Sequence, residues 1–336
     1  MRYNIENLNK VLEEGVKTRV YSDYALSVGD ADGEYFRILS HNVTSRTLFD
    51  MASVTKVVST SLIALSMINL KDLSLSDTIG DFFDAPKDKK DITIKQLMTH
   101  QAGFHPSYHW HEVDPNPNNV VKTILSRKLE YKTGADVIYS CMGYIVLGKI
   151  LEKLSGLKLS QLFKSMVADR IGMKDACFTP SRHLDISNAQ KNPALYGLVN
   201  DTNARMLSGI SGNAGLFASL DDMVKYALKL CRRYEGLISD ELFELSIQNH
   251  TPFAELSRGL GFQLVNEVSE QPGKLFCLGS YGHTGYTGTS VFVDRETNLY
   301  AVILTNRTCY GDDNVAMPNG YRAKIHDTIK ECLYGA

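Results

Sequence analysis

The sequence lacks an excess of charge of either sign and has no block of basic residues. Its 336 residues include 36 Lys and Arg against 38 Asp and Glu, a formal net charge of −2 at pH 7. Proteins that bind nucleic acid usually present a basic patch or stripe, so no nucleic-acid partner is expected. The 43% of hydrophobic residues is enough to form a large core.

Long apolar segments are also missing. The first eight residues contain no continuous apolar run, so they do not resemble a secretory signal. The most apolar stretch, 57–70, is interrupted by serine, threonine and asparagine and is too short to span a bilayer. The six cysteines are scattered without a Cys-x-x-Cys pair, which is typical of reduced thiols. We therefore expect a cytoplasmic protein with no membrane partner.

The hydrophobic patterns indicate an α/β protein whose strands occur only near the two ends of the chain. The predicted elements are a helix at 5–18, strands at 20–28 and 35–39, a helix at 53–70, a helical region at 73–215, a helix at 220–234, strands at 260–265, 289–294 and 299–305, and a helix at 323–333. We expect the two ends to form one α/β sandwich with the helical middle inserted into it. The prediction is a single domain, 1–336, with an α/β lobe of about 1–72 plus 216–336 and a helical lobe of about 73–215. A cleft between such lobes is a favoured ligand site.

The first chemical motif is Ser53-Val54-Thr55-Lys56. Residues three apart on a helix share a face, so Lys56 is expected to reach the Ser53 hydroxyl. A helix N-terminus favours developing negative charge, and burial is expected to lower the pKa of Lys56 and make it a better proton acceptor. The same spacing occurs in Ser155-Gly156-Leu157-Lys158, but there the glycine separates two helical runs and Ser155 is interpreted as a turn or N-cap residue. On spacing alone, Ser53 could equally be a helix-start serine.

The surrounding sequence favours the catalytic interpretation. The segment 48–56 resembles the active-site segment of the class C β-lactamase and penicillin-binding-protein superfamily, whose members carry Ser-x-x-Lys, then Tyr-x-Asn, then Lys/His-Thr-Gly near the C-terminus. The resemblance spans roughly 5–330 and continues through the segments 91–103, 171–175, 209–217 and 282–290. It implies a β-lactamase/transpeptidase-like fold, with an antiparallel sheet flanked by helices and an inserted all-helical lobe.

The second family element falls at Tyr139-Ser140-Cys141. By resemblance, Tyr139 would relay a proton together with Lys56, as a phenol beside a cation can. The alternative is a structural tyrosine ahead of a helix. Cys141 departs from the pattern because the family usually has asparagine there, to hold the amide carbonyl of the substrate. A thiol is a weak donor, so Cys141 in this substrate-binding position disfavours efficient turnover of penicillin-like amides.

The third element has two candidates. Lys132-Thr133-Gly134 matches the literal triplet, but it precedes Tyr139 and is interpreted as the turn leading into it. His283-Thr284-Gly285 has the family's order and precedes a predicted strand. The resemblance makes His283 catalytic and assigns Thr284 and Gly285 to substrate binding. The alternative for His283 is a structural histidine beside a glycine turn.

Two further expectations concern this triplet. By resemblance, the N–H of Tyr286 would pair with the N–H of Ser53 as an oxyanion hole, a substrate-binding role. Histidine in place of the more usual lysine is expected to change charge near pH 6.5.

The remaining polar candidates carry weaker signals. A metal site is conceivable in the loop 105–114, with His109, His111, Glu112 and Asp114 as ligands, but the spacing has little specificity and no metal is expected. In the family this region borders the cleft, so Trp110 is expected to shape substrate access. Arg307 could meet a substrate carboxylate, although surface solvation is the favoured interpretation.

Together these features predict a serine hydrolase that acts through an acyl-enzyme on Ser53 without a cofactor. The substrate is expected to be a small ester, or an amide of the D-amino-acid type, as for an esterase, a D-Ala peptidase or a weak β-lactamase. A β-lactamase proper, a non-catalytic ligand binder of the same fold and a metal-dependent hydrolase stay open. A Ser–His–Asp enzyme with a nucleophile elbow is excluded, because no Gly-x-Ser-x-Gly occurs.

Overall fold

The computed structural model describes residues 3–108, 114, 116–269 and 271–335. Its larger sheet has six strands in the order β2-β1-β10-β9-β8-β7, and a smaller four-stranded sheet has the order β4-β6-β3-β5. The strands are β1 Tyr24–Gly29, β2 Glu34–Leu39, β3 Leu48–Asp50, β4 Cys177–Phe178, β5 Ile186–Ser187, β6 Leu216–Ala218, β7 Gln263–Leu264, β8 Tyr281–Thr284, β9 Ser290–Val293 and β10 Tyr300–Thr305. All neighbours in the larger sheet are antiparallel, as predicted.

Helices flank the larger sheet and fill the middle of the chain. The α-helices are Glu6–Lys17, Leu62–Asn69, Ile79–Phe82, Ile94–Met98, Val120–Ser126, Cys141–Ser155, Leu159–Leu162, Asp169–Ile171, Thr202–Met206, Leu220–Cys231, Asp240–Ile247 and Arg322–Tyr334. Shorter 3₁₀ and π-type segments are Ala52–Val54, Lys56–Ser61, Pro117–Asn119, Phe163–Ala168, Pro193–Leu195, Arg307–Tyr310 and Met317–Tyr321. The predicted helical middle is thus present, and short strands of the smaller sheet interrupt its second half. The division into two lobes stays a prediction.

The two ends of the chain meet in the larger sheet. Strand β1 pairs with β10 from Tyr24 opposite Thr305 to Gly29 opposite Tyr300. Side chains alternate between the two faces of a strand, so Ala301 and Ile303 pack with the terminal helices while Val302 and Leu304 face the main core. Burial on both faces explains why β10 and β1 are apolar almost throughout rather than alternating with polar residues.

The segment that carries the first motif is not a uniform α-helix. A 3₁₀ turn at Ala52–Val54 leads into a wide π-type turn at Lys56–Ser61, and regular α-helix follows at Leu62–Asn69. Wide turns of this kind occur often at functional sites. Within the described residues, 52–69 is the one stretch apolar and long enough to cross a membrane, and 83% of it is buried inside the protein, as in a core helix.

Candidate active site

Ser53 and Lys56 are in contact. Lys56 Nζ lies 3.0 Å from Ser53 Oγ, donates to the Asn213 carbonyl at 2.8 Å, and lies 3.7 Å from Cys141 Sγ. The expected fall in the pKa of Lys56 is wrong: burial acts to lower it, but the ionisable groups of Cys141 and Tyr139 outweigh that effect and the pKa is raised. The raised pKa favours the ammonium form of Lys56.

The residues just before Ser53 fix the start of the turn. Ala52 has a φ of +45°, a conformation that is strained for a residue with a side chain. It is held by Asp50, whose carboxyl oxygens accept from the N–H of Ala52 at 2.9 Å and from that of Asn200 at 2.6 Å. Burial raises the pKa of Asp50 to about 6. The strained residue directly precedes Ser53, which lines the cavity described below.

Tyr139 lies on the other side of the serine. Its hydroxyl is 2.7 Å from Ser53 Oγ, and Lys56 Nζ is 5.0 Å from the centre of its ring. Burial raises the pKa of the phenol more than Lys56 lowers it, so Tyr139 is neutral at rest. The sequence interpretation missed His100, whose ring centre is 4.6 Å from that of Tyr139 and whose Nδ1 accepts the Ser140 N–H at 3.1 Å.

His283 lies on strand β8 and is almost fully buried. Its ring centre is 6.0 Å from that of Tyr139, and its Nδ1 lies 2.7 Å from the carbonyl oxygen of the next residue, Thr284. Burial holds the pKa of His283 well below 6.5, and the nearby cations Lys56 and Arg258 lower it further. The expectation of a charge change near pH 6.5 is therefore wrong, and His283 is a neutral imidazole at physiological pH.

The turn after His283 is fastened to the segment before Ser53. Thr287 Oγ1 donates to Asp50 O at 2.7 Å, and Thr289 Oγ1 donates to Met51 O at 3.1 Å. A Cβ on Gly285 would lie 2.7 Å from Met51 O, so this close approach requires glycine. Tyr286 follows, and in the described part of the chain its N–H has no hydrogen-bond acceptor.

Cys141 is the first residue of the helix Cys141–Ser155, and its N–H donates to Pro106 O at 2.8 Å. Its thiol faces Lys56 at 3.7 Å, within the group that contacts Ser53. Burial raises the pKa of the Cys141 thiol, so the group is uncharged at neutral pH. The asparagine that the family places here is thus replaced by a weak, neutral donor.

Ser53, Tyr139 and His283 border a cavity of about 360 Å³, whereas Lys56 and Cys141 are not among the residues that line it. Its wall includes Ser53, Tyr139 and the triplet His283 to Gly285, together with Tyr286 and Arg307. Two more arginines, Arg258 and Arg322, line it and were missed, because an isolated arginine carries no recognisable spacing. Larger cavities of about 670 and 800 Å³ lie elsewhere and contain none of the predicted site residues.

Arg307 is not a surface residue, so the favoured interpretation of solvation is wrong. It is 2% exposed, and its Nε donates to Tyr286 O at 2.5 Å. Another guanidinium nitrogen donates to Asn314 O, and the guanidinium carbon lies 4.3 Å from the centre of the Tyr286 ring. Arg307 therefore holds the turn that carries Tyr286, and these bonds leave it little capacity for a substrate.

The copies of the first and third motifs are structural. Thr133 Oγ1 donates to Ala102 O at 3.0 Å, and Gly134 has a φ of +80°, as the turn interpretation predicts. Ser155 is the last residue of its helix, and its hydroxyl donates to Leu151 O at 2.8 Å and accepts from the N–H of Leu157 at 3.2 Å. The turn interpretation is therefore confirmed and the N-cap interpretation is wrong, since Lys158 is the N-cap of the next helix.

The predicted loop residues Trp110, His109, His111 and Glu112 lie outside the described residues. Asp114, the remaining candidate ligand, accepts hydrogen bonds from Asn116, Asn119 and Thr123. In the part of the chain that the structure describes, no group of three or more metal-ligating side chains occurs.

Fold and sequence together define the class as a serine hydrolase with the β-lactamase/transpeptidase architecture. The chain belongs to the β-lactamase family, whose sequence profile ("Beta-lactamase") matches residues 8–321. It is 29% identical over 321 residues to a protein of Salmonella enteritidis PT4 (strain P125109) named "Putative D-alanyl-D-alanine carboxypeptidase", covering 80% of this chain and 72% of the relative.

Solved structures share the fold. "EstCE1, a hydrolase with promiscuous acyltransferase activity" superposes with a TM-score of 0.79 at 20% identity, covering 97% of this chain and 98% of that one. An octameric penicillin-binding protein homologue from Pyrococcus abyssi superposes with a TM-score of 0.75 at 20% identity, covering 94% of this chain and 76% of that one.

Proposed function

We propose that the protein hydrolyses an ester or a D-amino-acid-type amide through an acyl-enzyme on Ser53. The observation that carries this proposal is the convergence of two groups on one oxygen: Lys56 Nζ at 3.0 Å and Tyr139 Oη at 2.7 Å from Ser53 Oγ. A nucleophile within hydrogen-bond reach of a proton relay is the arrangement that covalent catalysis needs. The relative named as a putative D-alanyl-D-alanine carboxypeptidase supports the D-amino-acid type of substrate.

The charges of the resting site suggest how the proton moves. We take Tyr139 as neutral and Lys56 as an ammonium, following the directions of their pKa shifts, so that Tyr139 rather than Lys56 accepts the proton of Ser53. Instead, as Ser53 Oγ bonds to the substrate carbonyl carbon, its proton passes to Tyr139 Oη and the phenol proton passes to the leaving oxygen or nitrogen. Tyr139 begins and ends neutral, while the Lys56 ammonium stabilises negative charge on both oxygens. Water then repeats the route in reverse to hydrolyse the ester on Ser53.

The carbonyl oxygen of the substrate needs donors of its own in this scheme. We assign the N–H groups of Ser53 and Tyr286 to it, since the threonine bonds described above hold the two segments together. The free N–H of Tyr286 supports this assignment. Loss of one such donor typically costs about 3–4 kcal/mol of transition-state stabilisation.

Labelling with a fluorophosphonate tests the proposal. The reagent phosphonylates activated serines, so peptide mass mapping is expected to find the label on Ser53 and nowhere else. Ser53→Ala should abolish labelling. Ser155→Ala, which removes the copy of the motif, should leave labelling intact, and EDTA should have no effect because no metal or other cofactor takes part. Absence of label on Ser53 would contradict the proposed mechanism and favour a non-catalytic ligand binder.

Cys141 supports a preference for esters over β-lactams. We expect Cys141→Asn to raise the ratio of cephalosporin to nitrophenyl ester turnover, because an amide side chain donates a stronger hydrogen bond to the substrate carbonyl than a thiol. The gain corresponds to one hydrogen bond, about 1 kcal/mol or roughly fivefold. Kinetics with a chromogenic cephalosporin and p-nitrophenyl acetate measure this ratio, and Cys141→Ser controls for size. An unchanged ratio would show that Cys141 does not set the substrate preference.

A further inference from the structure

Arg258 is a buried cation with no anionic partner among the described residues. Its side chain is 6% exposed, and within the described residues its guanidinium makes no hydrogen bond or ion pair. Its Nε is fully buried and unsatisfied, and its guanidinium carbon lies 5.5 Å from the centre of the Tyr139 ring. The backbone is anchored, since its N–H donates to Thr251 Oγ1 at 2.9 Å and its carbonyl accepts from His250 at 2.8 Å. The side chain is thus held at the wall of the Ser53 cleft.

Arg322 is a second buried cation on the same cavity wall. It begins the last helix and is 2% exposed. Its guanidinium donates to Gln271 Oε1 and, at 3.3 Å, to Gly285 O, while its Nε is buried and has no acceptor. Both of its partners are neutral, so the hydrogen bonds orient Arg322 without cancelling its charge.

The cavity wall therefore carries unbalanced positive charge. Three arginines line it, no Asp or Glu among the described residues does so, and none of the three arginines belongs to an ion pair there. Removing a guanidinium from water is expensive unless an anion compensates it. Burial lowers the pKa of Arg258, and burial together with Arg307 lowers that of Arg322 to about 9. Because Arg307 is committed to the carbonyls of Tyr286 and Asn314, two guanidinium groups are left to meet an anion.

We propose that the cleft accepts a substrate whose leaving group carries two carboxylates, one bound by Arg258 and the other by Arg322. This inference rests on the proposed function, in which Tyr139 protonates the leaving atom. The carboxylate nearest that atom meets Arg258, the guanidinium closest to Tyr139. The more distant carboxylate meets Arg322, which lies beside Gly285 on the same cavity wall. A D-amino acid with an acidic side chain, such as D-glutamate, provides both groups.

The amide isostere of D-glutamate gives a matched comparison. N-acetyl-D-alanyl-D-glutamate and N-acetyl-D-alanyl-D-glutamine differ only in the second carboxylate. We expect kcat/KM for the glutamate peptide to be higher by about tenfold or more, the contribution of one charge-assisted hydrogen-bonded pair. Arg322→Gln should bring this ratio close to one. Arg258→Gln should reduce both peptides by a similar factor, and Arg46→Gln, an exposed arginine away from the cleft, should change neither.

A second measurement uses the native protein, so it does not depend on whether the variants fold. D-glutamate should inhibit hydrolysis of p-nitrophenyl acetate by the native protein with an inhibition constant about tenfold or more below that of D-glutamine. Hydrolysis of this neutral ester and labelling of Ser53 report the proposed function alone. If both occur while the two peptides have equal kcat/KM and the two inhibitors have equal inhibition constants, the dicarboxylate inference is overturned and the proposed function stands.

Glu270 precedes Gln271 and lies outside the described residues. A variant therefore tests whether its negative charge acts on Arg322. With Glu270→Gln, the native preference for D-glutamate should persist. A preference that appears only in this variant would mean that Glu270 already neutralises Arg322, and it would overturn the inference for the native chain.

Discussion

Replacing Lys56 by methionine is expected to lower kcat/KM for p-nitrophenyl acetate by about 10⁴-fold, the upper range for loss of a proton-relay component. Lys56 Nζ lies 3.0 Å from Ser53 Oγ. Among the described residues, it is the only cationic group within hydrogen-bond distance of that oxygen. Methionine fills a similar volume, so the loss should come from charge rather than from a cavity. The melting temperature should stay the same or rise, because a buried cation is removed.

Two controls sharpen this result. Lys158→Met alters the lysine of the copied motif, which lies ahead of the short helix Leu159–Leu162, and should leave kcat/KM unchanged. Lys56→Arg keeps the charge but cannot place a single compact donor between Ser53 Oγ and the Asn213 carbonyl, so it should recover little activity. If Lys56→Met retained activity within tenfold of the native protein, the role of the ammonium in the proposed mechanism would be wrong.

Tyr139→Phe should lower kcat/KM by about 10²–10⁴-fold, and the loss should depend on the leaving group. The substitution removes the oxygen 2.7 Å from Ser53 Oγ and leaves the ring beside His100. A nitrophenolate leaves readily without a proton, whereas an alkoxide or an amine requires one. The loss should therefore be larger for an alkyl ester or a peptide than for p-nitrophenyl acetate, when initial rates are compared across the three substrates.

Tyr144→Phe is the matched control for this experiment. The Tyr144 ring centre is 5.5 Å from Lys56 Nζ, but its hydroxyl bonds to Ser61 and Met98 and does not contact Ser53. Its replacement should reduce thermal stability and leave the leaving-group dependence as in the native protein. An equal loss for all substrates in Tyr139→Phe would return Tyr139 to a structural role.

Helices and strands whose apolar residues recur at a regular spacing could be predicted from the sequence. The helices Glu6–Lys17 and Leu220–Cys231 lie where their patterns placed them, because each presents apolar residues at helical spacing. Strands β4 to β6 were not predicted, since two or three residues are too few for alternation to show. The order of the family's motifs along the chain predicted that Ser53, Lys56, Tyr139 and His283 belong to one site. In the structure they lie close together.

Charge states could not be predicted in the same way. The pKa of Lys56 depends on Cys141 and Tyr139, which only the folded chain brings to its side. The neutral state of His283 depends on its burial, and sequence spacing does not reveal how deeply one imidazole lies. Arg258 and Arg322 were missed for a related reason: a lone arginine becomes informative only when its surroundings lack an anion.

The two threonine bonds across the site also bear on how the protein becomes active in a cell. Thr287 and Thr289 reach back to the carbonyls of Asp50 and Met51, across sequence separations of 237 and 238 residues. A nascent chain on the ribosome carries Ser53 and Lys56 long before it carries either threonine. A chain that ends before Thr287 can form neither bond, so we expect it to lack hydrolase activity.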